Sequence, residues 1–324
     1  MNGKPRVLVT RRWPAEVERV LAARFNTTLN EEDNPLTEAE LAAALINFDA
    51  VLPTVSDRLP SAIFDQPAMR TKILGNFGVG FNHIDVRAAQ AAGIAVTNTP
   101  GVLTDCTADI ALTLMLMAAR RAGEGERQLR AGKWKGWCPT HMLGSQLAGK
   151  TLGIIGMGRI GKATARRAHF GFGMKIVFFN RSAVDDDETR AMKALQMKTI
   201  DEVLAASDFV SLHCPGSAEN RHLVDARRLG VMKPGAFLIN TARGDVVDTT
   251  ALVEELRSGS IAGAGLDVYE GEPSVPAGLT ALENVVLLPH LGSATAETRT
   301  AMGMKVVENI TAFFDGRDPP DRVA

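Results

Sequence analysis

At 324 residues, with 45% hydrophobic and 23% charged side chains, the chain is too long for one small core and too apolar for disorder, so two globular domains are expected. Lys+Arg 36 against Asp+Glu 37 leaves a net charge of −1, which argues against a nucleic-acid or membrane surface. The three cysteines, Cys106, Cys138 and Cys214, have neither disulfide-framework nor metal-ligand spacing and point to a reducing compartment.

The first dozen residues hold no apolar stretch long enough for a signal peptide. Residues 110–119, the most apolar helical stretch, are too short to span a bilayer, so a cytoplasmic location is expected. Residues 6–10 read as a first strand, and residues 14–25 as a helix with Val17, Val20, Leu21 and Phe25 on one face. Thr37 to Glu40 has the pattern of a capping box, opening a helix that runs through Leu45. Strands follow at 49–53, 72–76 and 93–97, with a helix at 86–92 before the last. Strands alternating with helices predict a small parallel α/β unit of about 100 residues. Within it, Gly78-Val79-Gly80 lies beside a strand end and would offer backbone N–H groups to an anion.

Pro100-Gly101 breaks this pattern. Residues 104–122 predict a long helix, apolar on more than one face and so buried between domains or subunits. Residues 123–149 read as irregular and carry Trp134 and Trp137, which points to packing on a partner subunit. The run 151–155 is short, apolar and β-branched, as in a buried parallel strand. Gly156, Gly158 and Gly161 follow in the spacing G-x-G-x-x-G, and 162–169 continue as a helix. That strand, turn and helix form the dinucleotide-binding fingerprint, with phosphates on the free N–H groups of the helix start. Further strands at 175–179, 209–213, 236–240, 263–268 and 285–288 bring the expected sheet to six, with helical segments at 200–205 and 249–257. Residues 294–316 read as an amphipathic helix returning to the first domain. The predicted architecture is therefore a Rossmann-type doubly wound sheet, residues 102–288, inserted in a smaller flavodoxin-like α/β substrate domain, residues 1–101 and 289–324, with a cleft and two hinges between them.

The strand after the glycines ends Asn180-Arg181-Ser182. Asn180 holds the position where an acidic residue would bind the adenosine ribose. A carboxylate there would repel a 2′-phosphate, whereas Arg181 and Ser182 would bind it, so NADPH is expected over NADH. Three loops at strand ends carry candidates for carbonyl chemistry: Arg243 for a carboxylate and its adjacent carbonyl, Glu272, and His290. An imidazole titrates near neutrality and suits a general acid, and a carboxylate on its second ring nitrogen would favour imidazolium and fix its orientation. His83, His141, His169 and His222 have no ligand spacing around them, so no metal is expected, and His213 reads as a packing or ribose neighbour.

These stretches, together with Gly78 to Asp85, Asn98 to Asp109, Leu238 to Asp248, Gly263 to Pro273 and Leu288 to Ser293, resemble the D-isomer-specific 2-hydroxyacid dehydrogenase family, most closely its glyoxylate/hydroxypyruvate reductase branch. The resemblance implies NADPH-dependent reduction of a small 2-oxo acid by hydride transfer, with Arg243 on the substrate, Glu272 partnering the acid/base and His290 donating the proton. It implies that the amides of Val79 and Gly80 hold the substrate carboxylate and that Trp137 reaches a neighbouring subunit's site, as in a homodimer. Asp267 would orient the nicotinamide carboxamide, while Thr107, Cys214 and Pro215 line the cofactor. Further cofactor contacts are expected from Gly156, Gly158, Arg159, Ile160, Gly161, Asn180, Arg181, Ser182, Thr241, Ala242, Arg243, His290 and Gly292.

Leu291 departs mildly from the isoleucine or valine usual after this histidine. Two other readings stay open: an NADH-dependent dehydrogenase of another D-2-hydroxy acid, and a dinucleotide-sensing regulator without activity. The loop 52–57 carries no Lys or Arg until Arg58, which disfavours a phosphorylated substrate. The set Arg243, Glu272 and His290 argues against the regulator.

Overall fold

Short apolar runs spaced by helices build two parallel sheets in the computed structural model, which describes residues 3–323. The chain divides into two compact units: one runs to Leu103 and resumes at Ala294, and the other is Thr104–Ser293. The expected boundaries fell after residues 101 and 288. The later second boundary puts His290 in the unit with the glycine motif rather than in the outer one.

The outer unit has strands β1 (Arg6–Val9), β2 (Asn26–Thr28), β3 (Ala50–Leu52), β4 (Ile73–Gly75) and β5 (Ala95–Thr97), in the order β2-β1-β3-β4-β5. This is the flavodoxin-like order. The edge strand β2 was not expected, because Asn26-Thr27-Thr28 is polar and only three residues long. Thr37 caps the helix Glu38–Asn47 as a capping box: its hydroxyl accepts from the Glu40 amide, and the Glu40 carboxylate accepts from the Thr37 amide at 2.8 Å. The helix Ala296–Phe314 closes this unit's core, with Val306 and Ile310 fully buried. It approaches β4 closely because Gly75 has no side chain; a Cβ there would lie 2.7 Å from Val306 Cγ1 and 2.8 Å from Leu52 Cδ2.

The other unit has β6 (Thr151–Ile155), β7 (Lys175–Phe179), β8 (Leu195–Gln196), β9 (Phe209–Leu212), β10 (Phe237–Asn240), β11 (Gly263–Leu266) and β12 (Val285–Leu287), in the order β12-β11-β10-β9-β6-β7-β8. It has seven strands rather than the six expected. The extra one, β8, is two residues long and shows no periodicity, yet it extends the sheet by pairing Phe178 with Gln196. Strand order reverses between β6 and β9, and open α/β sheets bind ligands at such a switch point.

The apolar helix is Thr104–Ala119, shorter than expected. Ala111, Leu112, Leu114 and Met115 are buried in the core of their own unit. Gly265 of β11 admits the helix, since a Cβ there would lie 2.8 Å from Leu114 Cβ. Arg121 adopts a left-handed backbone, and a second helix, Ala122–Arg130, occupies part of the stretch expected to be irregular. It buries no residue, so no apolar stripe marks it in the sequence.

Overpacking the seam between β4 and the last helix is costly. Gly75→Val should lower unfolding stability by about 1–3 kcal/mol, read as a lower urea midpoint with unchanged m-value; an unchanged midpoint would show that Val306 and Leu52 can withdraw freely.

Candidate active site

The turn after β6 can be built only with glycine. Gly156 has φ +98°, and a Cβ there would stand 2.8 Å from the Cys214 amide nitrogen and the His213 carbonyl. A Cβ at Gly161 would lie 2.3 Å from the Gly156 carbonyl oxygen, so the third glycine lets the helix Arg159–Phe172 pack onto the turn. Gly158 caps that helix, and nothing lies within 4 Å of where its Cβ would be. The first helical turn holds no acid. A backbone cradle open over Gly158, with a helix start free of negative charge, fits a dinucleotide pyrophosphate.

Beyond β7, Asn180 Nδ2 donates to the carbonyl and the hydroxyl of Ser182, each at 3.1 Å. Arg181 is exposed and reaches Glu219 at 3.2 Å. After β9, burial pushes the Cys214 thiol up to about 11, making it a packing group rather than a nucleophile. His213 lies 2.9 Å from the Ser211 hydroxyl, and burial pushes it down to about 4, so it is a neutral packing residue. Pro215 is exposed beside Cys214, and its carbonyl accepts from Asn220.

The ends of β10, β11 and β12 converge. Asn240 closes the first turn, donating to the Arg243 carbonyl at 2.8 Å and accepting from the Ala242 amide at 3.0 Å. A Cβ on Gly244 would lie 1.9 Å from the Tyr269 carbonyl carbon, so the Arg243 turn and the Tyr269–Glu272 turn touch backbone to backbone. Arg243 is half-buried; burial lowers its pKa, while the Glu272 and Asp245 carboxylates pull the other way. The Thr241 hydroxyl is buried and has no partner among the described residues, the kind of orphaned group that a bound cofactor satisfies.

Glu272 links the second turn to the third. Its Oε1 accepts from the Tyr269 amide at 2.9 Å, and its Oε2 lies 2.9 Å from His290 Nδ1. Burial alone would push the Glu272 carboxyl up. The hydrogen bond and charge of His290, the Tyr269 amide and the Arg243 charge outweigh it and hold Glu272 below the usual carboxylate range. His290 has a left-handed backbone, φ +55°. Asp267 holds it there: its two oxygens accept from the amides of Leu291 (2.6 Å) and Gly292 (2.8 Å), and its carbonyl accepts from the His290 amide at 3.0 Å. Thr107 adds a bond to the Gly292 carbonyl at 2.9 Å. Burial pushes the Asp267 carboxyl up and the two amides oppose it. The resemblance implies a nicotinamide carboxamide contact for Asp267; the structure shows in addition that its carboxylate braces the histidine loop. These bonds are also the reason His290 belongs to this unit.

In the outer unit, Asn76 Nδ2 donates to the carbonyls of Gly78 (3.0 Å) and Gly80 (3.1 Å), and Asn98 Nδ2 donates to that of Val79 (2.9 Å). His83 Nε2 lies 3.0 Å from Asn76 Oδ1. With those carbonyls held, the amides of Val79 and Gly80 make no hydrogen bond among the described residues. Trp137 is 81% exposed and packs on no core of its own chain.

The structure thus gathers Arg243, Glu272 and His290 into one cluster and Thr107, Asp267 and Gly292 into another beside it. Asn76, Asn98, Asn240, Gly244 and Tyr269 act in these loops through contacts that no pattern in the sequence marks. Asn240 and Gly244 flank Thr241 and Arg243, and Asn76 lies two residues before Gly78; only that nearness points to them in the sequence. Among the described residues, no group of three or more potential metal ligands occurs and no helix is long and apolar enough to cross a membrane.

Residues 112–292 match the family described as D-isomer specific 2-hydroxyacid dehydrogenase, NAD binding domain. Over 324 aligned residues the chain is 43% identical to a glyoxylate reductase of Thermococcus onnurineus (strain NA1), covering 99% of this chain and 96% of that one. A crystal structure of a Thermus thermophilus protein superposes with a TM-score of 0.90 at 43% identity, covering 98% of this chain and all of that one. The NADPH-dependent glyoxylate/hydroxypyruvate reductase of Sinorhizobium meliloti, in complex with NADP and malonate, superposes with a TM-score of 0.88 at 37% identity, covering 99% and 97%.

The depressed Glu272 carboxyl makes stability pH-dependent. Its contribution is fully present above the unfolded value of about 4.3 and is lost as pH falls through the lower folded value. Glu272→Gln should therefore unfold at a lower temperature than the parent at neutral pH, with the gap closing as pH drops below about 4; a gap independent of pH would contradict the assignment.

Proposed function

Because the chain belongs to the D-isomer specific 2-hydroxyacid dehydrogenase family, we propose that it reduces glyoxylate, and hydroxypyruvate beside it, to the 2-hydroxy acid with NADPH as preferred reductant. It is an NAD(P)-dependent oxidoreductase. The observation that carries the proposal is the His290–Glu272 pair at 2.9 Å, with Arg243 close enough to act on Glu272 electrostatically.

The nicotinamide, when bound, supplies the hydride that C2 of the 2-oxo acid accepts. Arg243 binds the substrate carboxylate and polarises the adjacent carbonyl; its reduced hydration in a half-buried position strengthens both interactions. His290 delivers a proton from Nε2 to the forming alkoxide, since Nδ1 is committed to Glu272. Glu272 stays ionised, which keeps the imidazole oriented and balances the charge of its protonated form.

NADPH is favoured by what stands at the end of β7. Asn180 presents no negative charge, and Arg181 and Ser182 offer donors. One observation favours the NADH reading: Glu219 pairs with Arg181 and would repel a 2′-phosphate. Glu219→Gln should therefore tighten NADPH binding. A homodimer is supported by Leu129, Trp137 and Leu143, which are 61%, 81% and 68% exposed along one stretch; Trp137 would then complete the partner's site. Three free cysteines fit a cytoplasmic setting.

A panel of glyoxylate, hydroxypyruvate and pyruvate against NADPH and NADH tests the reading. Glyoxylate with NADPH should give the highest or second-highest kcat/KM; binding without turnover, or a clear preference for NADH, would overturn it. His290→Ala should lower kcat by about 10²–10⁴-fold, and Arg243→Ala should raise KM and lower kcat together. An unchanged kcat in His290→Ala would remove this histidine from the reaction.

A further inference from the structure

The loop after β7 carries the residues that would choose the cofactor, yet it has no regular structure between Asn180 and Asp186. Its shape comes from one side chain on β8. Gln196 Nε2 donates to the carbonyls of Asn180 (3.2 Å) and Ser182 (3.0 Å), and Gln196 Oε1 accepts from the Val184 amide at 2.9 Å. The Ser182 carbonyl also accepts from Asn180 Nδ2, so two side-chain amides converge on one oxygen. Gln196 is itself fixed by the sheet: it pairs with Phe178 of β7, and the next residue, Met197, donates its amide to the Phe178 carbonyl at 2.7 Å. The clamp spans the two residues that would meet a phosphate. Because Ser182 Oγ accepts from Asn180 at 3.1 Å, its own O–H remains available to an anion, and Arg181, between the two clamped residues, is exposed with Glu219 as its partner.

We propose that Gln196 is a positioning residue for cofactor choice, holding the Asn180–Val184 loop in the shape that presents Arg181 and Ser182 to the 2′-phosphate of NADPH. The proposal rests on the NADPH reading and extends it to a residue two strands away from the phosphate turn. A loop already ordered loses less freedom when a ligand engages it, so its donors bind more tightly than those of a loose one. The effect is confined to the ligand that uses those donors. NADH, which has a hydroxyl where NADPH has a phosphate, draws little from the loop. β8 thus gains a use beyond extending the sheet: it carries the clamp.

The test is calorimetric binding of NADP⁺, NAD⁺ and 2′,5′-ADP to the full-length chain and to Gln196→Met, which keeps the side chain's length and removes its polar groups. Kd for NADP⁺ and for 2′,5′-ADP should rise about tenfold, Kd for NAD⁺ should change less than about twofold, and kcat at saturating NADPH should stay as in the parent. In Arg181→Ala, adding Gln196→Met should cause no further loss, because Gln196 acts through the loop that carries Arg181. Gln196→Ala, read the same way, serves as a second variant should the first fold poorly. Equal weakening of NAD⁺ and NADP⁺ would reduce Gln196 to a structural brace and overturn the proposal, as would unchanged binding of both. A parent protein that binds NAD⁺ more tightly than NADP⁺ would overturn the cofactor reading and this proposal with it. A parent that prefers NADP⁺ while Gln196→Met leaves that preference intact would overturn the proposal alone.

Discussion

The site depends on one buried carboxylate. Asp267 accepts from two successive amides, Leu291 and Gly292, and its own carbonyl accepts from the His290 amide. Those bonds hold His290 in a left-handed conformation that costs on the order of 1–3 kcal/mol. Hydrogen bonds to an ionised group contribute about 1.5–3 kcal/mol each, so two of them outweigh the strain. The geometry that results aims Nδ1 at Glu272 and leaves Nε2 for chemistry. Without Asp267, nothing else among the described residues bonds both of those amides.

The rest of the cluster follows from close backbone approaches that only glycine allows. Gly244 brings the Arg243 turn against Tyr269 and Glu270, where a Cβ would lie 1.9 and 2.2 Å from their backbone atoms. Tyr269 ties its turn to β11 and β12 by donating its hydroxyl to the Leu266 and Leu288 carbonyls, while its amide holds Glu272. Charge and shape are therefore set by the same few contacts. The Glu272 carboxylate is kept ionised by the groups it must serve, and the Arg243 guanidinium is half-buried within reach of the Glu272 and Asp245 charges.

Much of this was legible in the sequence wherever a residue type and a spacing carry the physics. The G-x-G-x-x-G turn announces itself because each glycine answers a steric demand, and the structure shows two of those demands at 2.8 and 2.3 Å. Arg243, Glu272 and His290 stood out as charged groups at the ends of apolar strands. The braces did not. Asn76, Asn98, Asn240 and Gln196 act by donating side-chain amides to backbone carbonyls, and nothing in hydrophobic periodicity marks such a role. β2 and β8 escaped because three and two residues are too few to show an alternation, and the helix Ala122–Arg130 because it buries no face. Asp267 was noticed, but for a ligand contact; its bracing role depends on amides 24 and 25 residues further on, which only the folded chain brings within reach.

The central claim is that the reaction relies on a histidine whose position Asp267 imposes. A double-mutant cycle between Asp267→Asn and His290→Ala, read as kcat for glyoxylate reduction with NADPH, tests it most directly. An asparagine keeps one acceptor but sets an N–H donor against one of the two amides, so Asp267→Asn should lose at least about tenfold in kcat. If Asp267 works through His290, the double variant should be no slower than His290→Ala alone. Losses that multiply, with the double variant slower by the product of the two single effects, would contradict the account.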